Sequence, residues 1–131
     1  MSAAAATSAW MLGACGMGVG PLAIYLKGEG WDVSGWDDST GSPMELQLAN
    51  ADIPLLRDPW AAGRHPSVVG RSSAVKAGHA ALALAERHEV RTLRRGELLA
   101  EAVAGRRFVA ICGSHGKTTT CGLLVAALAS A

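Results

Sequence analysis

The sequence predicts an α/β fold, a mainly parallel sheet flanked by helices, and three observations carry that expectation. Short apolar runs of strand length alternate with helix-length segments through most of the 131 residues. A glycine-rich loop, Gly13-Ala14-Cys15-Gly16-Met17-Gly18-Val19-Gly20, follows the first such run directly. A second, Gly113-Ser114-His115-Gly116-Lys117-Thr118-Thr119-Thr120, follows the last. Strand, glycine loop and helix in that order open a nucleotide-binding unit, because glycines let main-chain N–H groups turn onto phosphate oxygens at a helix N-terminus. The sheet is therefore expected to be Rossmann-like, with right-handed crossovers.

Each element has its own reason. Met1 to Ser8 is Ala/Ser-rich, lacks the basic start and long apolar stretch of a secretory signal, and is expected to be a disordered leader. Ala9 to Gly13 reads as a short buried strand. Pro21 to Lys27 is helical and closed by Gly28 and Gly30. Trp31 to Trp36 alternates as a second strand and ends at Asp37-Asp38. Ser39 to Pro43 is a turn, Met44 to Ala51 a short helix, and Ile53 to Leu56 a third strand. Arg57 to Pro66, rich in Pro, Gly and Asp, is loop. Ser67 to Gly70 is a buried strand feeding Ser72-Ser73-Ala74. His79 to His88 is helical, with Ala80, Ala81, Leu84 and Ala85 on one face. Val90 to Leu93 is a short strand, and Gly96 to Ala104 a helix with Leu98, Leu99 and Val103 inward. Arg107 to Cys112 is the strand before the second loop, and Cys121 to Ala129 the helix after it. A domain boundary is expected near Gly105-Arg106. That gives residues 1–8 as leader, 9–105 as one domain, and 106–131 as the incomplete start of another.

Composition excludes several classes. Half the chain is apolar, 18% is charged, and the net charge is +1. No basic footprint for nucleic acid or an acidic membrane surface follows, and one Tyr and one Phe do not make a base-stacking platform. No run approaches the roughly 20 apolar residues that span a bilayer. Cys15, Cys112 and Cys121 are odd in number and lack metal-ligand spacing, which fits the reducing cytoplasm. The tryptophans Trp10, Trp31 and Trp36 stand at strand positions and are expected in the core, Trp36 with an alternative role against a base. His79 and His88 are expected on a solvated surface.

The second loop has the chemistry of a triphosphate cradle. Its backbone amides would hold phosphate, Lys117 would neutralise the β/γ end, and the Thr118 hydroxyl can ligate Mg²⁺. The strict G-x-x-x-x-G-K-[ST] pattern wants glycine at position 111, where the chain has Ile111. The first loop likewise departs from G-x-G-x-x-G, with Cys15 in place of the second glycine. By itself the opening unit also suits a nicotinamide-dependent oxidoreductase with Asp37 on the ribose hydroxyls, or a non-catalytic nucleotide-binding module. Ser72 and Ser73 read equally as ligand contacts or as a helix cap.

Four blocks in order, Gly13 to Gly18, Val33-Ser34-Gly35-Trp36-Asp37, Ser72-Ser73-Ala74-Val75, and Gly113 to Thr120, resemble the Mur ligases, within them the UDP-N-acetylmuramate–L-alanine ligase branch. Leu12 to Gly16 and Ser42-Pro43-Met44 are also similar to the murein-peptide ligase branch of cell-wall recycling. The resemblance implies an N-terminal uridine-nucleotide domain followed by the start of a P-loop ATPase domain. Cys15, Gly16, Met17 and Gly18 would hold the diphosphate of UDP-N-acetylmuramate, Asp37 would lie near the uridine, and Ser72 and Ser73 would contact the nucleotide sugar. Gly113, Ser114, His115, Gly116, Lys117, Thr118 and Thr119 would bind ATP, with Lys117 catalytic and Thr118 on Mg²⁺. The implied reaction is cytoplasmic peptidoglycan-precursor synthesis. ATP phosphorylates the muramoyl carboxylate, and the amino group of L-alanine displaces the phosphate to form an amide. The resemblance further implies that these 131 residues alone are inactive. The sequence departs from the family's pattern at Lys76-Ala77-Gly78-His79, at Trp36 and at Val19-Gly20-Pro21.

Overall fold

The computed structural model describes residues 7–131. Its elements are β1 (Ser8–Leu12), α1 (Val19–Gly28), β2 (Asp32–Trp36), α2 (Pro43–Asn50), β3 (Val68–Arg71), α3 (Ala80–Arg87), β4 (Thr92–Arg94), α4 (Arg95–Ala102) and α5 (Lys117–Ala129). The four strands form one sheet in the order β2-β1-β3-β4, with every pairing parallel. This is the α/β arrangement that the sequence predicts. β1 is central, with Trp10 opposite Ser34 on one side and Val69 on the other.

Both faces of the sheet are covered, which explains why β1 reads as the unbroken run Ala9-Trp10-Met11-Leu12 instead of alternating. Period two still sorts its side chains. Ala9 and Met11 join Leu22, Leu26, Val33, Leu48 and Leu98 in a core under α1, α2 and α4. Trp10 and Leu12 join Val69, Val75, Ala81 and Ala85 under α3. Burying each such Leu contributes about 1.5–3 kcal/mol.

Local chemistry starts the helices. Pro43 opens α2, the Ser42 hydroxyl accepts from the Glu45 N–H at 3.2 Å, and the Glu45 carboxylate accepts from the Gly41 N–H at 2.6 Å. At α4 the Glu97 carboxylate reaches back to the Arg94 N–H at 2.6 Å. The cap of α3 is His79, whose Nδ1 accepts from the Ala81 N–H at 3.1 Å, so neither Ser72 nor Ser73 caps that helix.

Four expectations change. Ser8, placed in the leader, begins β1 and exchanges hydrogen bonds with Ser67; the leader's residues 1–6 lie outside the described residues. Ile53 to Leu56 makes only a single bridge, Leu55 to Gly35, because Pro54 has no N–H to extend a ladder. Arg107 to Cys112 is not a strand; an apolar extended run becomes one only when a neighbour supplies its hydrogen bonds, and none does among the described residues. Of the two histidines flanking α3, His88 is exposed as expected, whereas His79 is half-buried. His79 packs on Trp36 at 4.3 Å between ring centres, and His88 stacks on Trp60 at 4.1 Å. Beyond α4, α5 buries no residue, and Phe108, Val109, Leu123, Val125 and Leu128 are 57–68% exposed. No helix among the described residues is long and apolar enough to cross a membrane.

Candidate functional site

Because the strands are parallel, the loops after β1, β2 and β3 all leave the same edge of the sheet. The chain runs from β1 outward to β2 on one side and returns to β3 on the other, so this edge is a switch point of the kind where α/β folds bind ligands. A cleft of about 310 Å³ lies there, lined by Gly13, Cys15, Gly16, Asp37, Ser72 and His79 among others. Sequence reasoning named Cys15, Gly16, Asp37 and Ser72 as site residues and Gly13 as part of the loop; the fold brings them together. Met17, Gly18 and Ser73 do not line it, and Met17 stands 82% exposed.

Gly13 makes the turn possible. Its φ is +80°, and a Cβ there would lie 2.9 Å from the Ser72 Cβ. Asp37 then fixes the loop: one carboxylate oxygen accepts from the Cys15 N–H at 2.8 Å and the other from the Ser39 N–H at 2.8 Å. The Gly16 N–H donates to the Gly13 carbonyl at 3.0 Å. The Cys15 and Gly16 amides are therefore spent within the protein. The amides of Met17, Gly18 and Val19 make no hydrogen bond among the described residues, and they sit at the positive end of α1.

Three neighbours escaped the sequence reading. Ser42 hydrogen-bonds the Cys15 thiol, His79 walls the cleft, and Arg95 covers the loop, its Nε 3.3 Å from where a Gly18 Cβ would be. Arg95 had a signal: it follows β4 at the same sheet edge.

Burial pushes the Cys15 thiol above its ordinary value; the Ser42 hydrogen bond lowers it, and the Asp37 and Glu45 carboxylates raise it again. A raised thiol holds less thiolate at neutral pH. Iodoacetamide should thus modify Cys15 several-fold more slowly than the exposed Cys112 and Cys121, with the gap narrowing as pH rises. Equal rates at neutral pH, read by peptide mass spectrometry, would contradict this.

The second loop stands at the start of α5. Gly113 and Gly116 have φ of +149° and +78°, turning the backbone so that the first-turn amides of Lys117, Thr118 and Thr119 remain without main-chain partners among the described residues. The Lys117 Nζ donates to the Gly113 carbonyl at 2.8 Å, and the Ser114 hydroxyl lies 3.2 Å from the His115 Nδ1. Open amides, a lysine folded over them and a hydroxyl at Thr118 fit a triphosphate with its cation. Among the described residues no group of three or more His, Cys, Asp or Glu side chains could hold a metal ion.

A family model described as Mur ligase family, catalytic domain, matches residues 10–107. The chain belongs to the Mur ligase family. It is similar to a UDP-N-acetylmuramate–L-alanine ligase of Kineococcus radiotolerans, 38% identical over 130 residues, covering 92% of this chain and 26% of that protein. Among solved structures it resembles a murein peptide ligase of Psychrobacter arcticus, with a TM-score of 0.78, 30% identity, and coverage of 91% of this chain and 25% of that one. A UDP-N-acetylmuramate:L-alanyl-gamma-D-glutamyl-meso-diaminopimelate ligase of Neisseria meningitides gives a TM-score of 0.79 and 26% identity, over 92% and 39% of the two chains. The chain thus spans about a quarter of the length of the curated relative it matches. The Mur ligase match includes the opening unit on which a nicotinamide-dependent reading would rest.

Proposed function

We propose that residues 9–105 bind UDP-N-acetylmuramate for an ATP-dependent ligase that adds L-alanine to it, and that residues 106–131 open the ATP-binding domain. The observation that carries this reading is the cleft at the sheet edge, with three unbonded amides beside it at the start of α1. Met17, Gly18 and Val19 donate to the diphosphate, while Asp37 holds the loop in shape and Ser72 presents its hydroxyl to the nucleotide sugar. At the second loop, Gly113 to Thr119 would hold the ATP phosphates, Lys117, whose Nζ now donates to the Gly113 carbonyl, would neutralise their charge, and Thr118 would ligate Mg²⁺. ATP with Mg²⁺ would supply the phosphoryl group that activates the muramoyl carboxyl carbon, so that an amine can attack it with phosphate as the leaving group. The chain's own contribution is positioning and neutralisation of charge. The reaction belongs to cytoplasmic peptidoglycan-precursor synthesis, which serves cell shape and division.

A second reading, a murein peptide ligase, draws on the two structural neighbours of that activity. Both share UDP-N-acetylmuramate as the nucleotide partner, so the same first test applies. Calorimetric titration of the 131-residue chain with UDP-N-acetylmuramate should give saturable binding, and NAD(H) none. A flat titration in a folded sample, or binding of NAD(H) instead, would overturn the reading. Alanine-dependent phosphate release from ATP is expected to be absent in this chain alone, because among the described residues α5 buries none of its side chains against a partner.

A further inference from the structure

The cleft at the sheet edge is short of positive charge. Its lining carries two carboxylates, Asp37 and Asp38, with His79 as its basic side chain and no lysine or arginine. The glycine loop from Gly13 to Gly20 holds no cation either, whereas the second loop has Lys117. The open end of α1 supplies the equivalent of roughly half a unit charge. A diphosphate diester is a dianion, so the amides alone leave most of its charge unbalanced beside two aspartates.

Arg95 stands beside that loop. It opens α4 at the end of β4, on the sheet edge that the glycine loop also leaves. From the position a Cβ would take on Gly18, its Cδ is 3.1 Å away, its Nε 3.3 Å and its Cζ 3.7 Å. The guanidinium thus packs against the residue whose amide stands open at the start of α1. Gly18 has an ordinary φ of −97°, so backbone strain gives no reason for a glycine there. The arginine gives one, because a side chain at position 18 would press on it. Arg95 shares a groove of about 290 Å³ with Met17, Pro21, Leu22, Tyr25 and Leu99, yet the residue is exposed. Its stem is packed while its charged head is open to solvent. Among the described residues it takes part in no ion pair.

We infer that Arg95 is the cation of the first glycine loop, its guanidinium donating to the same diphosphate that the Met17, Gly18 and Val19 amides receive. A planar guanidinium matches two phosphate oxygens with parallel N–H bonds, which a bare helix end cannot do. This rests on the diphosphate reading above. It adds to the loop a specificity-determining residue from α4, the helix packed beside α1.

The test is calorimetric titration of the chain with UDP-N-acetylmuramate over a series of sodium chloride concentrations. Arg95→Ala should weaken binding about 10- to 100-fold at low salt. Arg95→Lys should fall between, since an ammonium keeps the charge and loses the fork. The Arg95→Ala deficit should shrink as salt screens the pair, which a merely structural role would not do. Because Arg95 is exposed, both variants should melt with the unaltered chain. In the unaltered ¹⁵N-labelled chain, the Arg95 Nε–H resonance should move as the ligand saturates. Binding by the unaltered chain with that resonance unmoved, with Arg95→Ala equally tight, or with a deficit that salt leaves unchanged, would overturn this inference alone. No binding by the unaltered chain would overturn the diphosphate reading and this inference together.

Discussion

Replacing Gly13 by alanine is expected to lower the melting temperature by roughly 10–15 °C, equivalent to about 2–3 kcal/mol. Two terms add. The left-handed φ of +80° costs an alanine about 1–2 kcal/mol. The new Cβ would also meet the Ser72 Cβ at 2.9 Å, and Ser72 cannot retreat freely because its N–H donates to the Leu12 carbonyl at 3.1 Å. Gly30→Ala separates the terms, since its φ is +86° but nothing lies within 4 Å. It should cost only the backbone part, so a Gly13→Ala melt no lower than that of Gly30→Ala would show that the β1–Ser72 approach is looser than described.

Asp37→Ala should weaken UDP-N-acetylmuramate binding by about 10–100-fold while leaving the sheet intact. Both carboxylate oxygens are used, on the Cys15 and Ser39 amides, and hydrogen bonds to a charged group are worth about 1.5–3 kcal/mol each. Without them only the Gly13 and Ala14 N–H bonds to the Trp36 carbonyl still tie the glycine loop to β2, and the segment beyond Cys15 that carries the Met17 to Val19 amides loses its anchor. Asp37→Asn keeps one acceptor oxygen and should fall between. If Asp37→Ala bound as tightly as the parent chain by calorimetry, the carboxylate would have no part in shaping the site.

How far the sequence alone reaches depends on what each feature needs. β1 and β3 were legible as short apolar runs and β2 as an alternating one, with Gly13, Ser72 and Asp37 marking the turns after them. Arg107 to Cys112 looks much the same in sequence, yet a strand is a property of a pair, and no partner lies beside it among the described residues. The core of the cleft was legible for a related reason: residues just after parallel strands must share an edge. His79, Ser42 and Arg95 were not, because each reaches the glycine loop from an element dozens of residues away. Asp37 was legible as a site residue but not as a clamp, since its bond to the Cys15 N–H appears only once β1 and β2 pair.

The central claim is that the open amides at the start of α1 receive a nucleotide diphosphate. Titrating the ¹⁵N-labelled chain with UDP-N-acetylmuramate and following its amide resonances tests it most directly. The account predicts the largest changes at Met17, Gly18 and Val19, with smaller ones at Cys15 and Ser72. Saturable binding that leaves those three amides unmoved would contradict it.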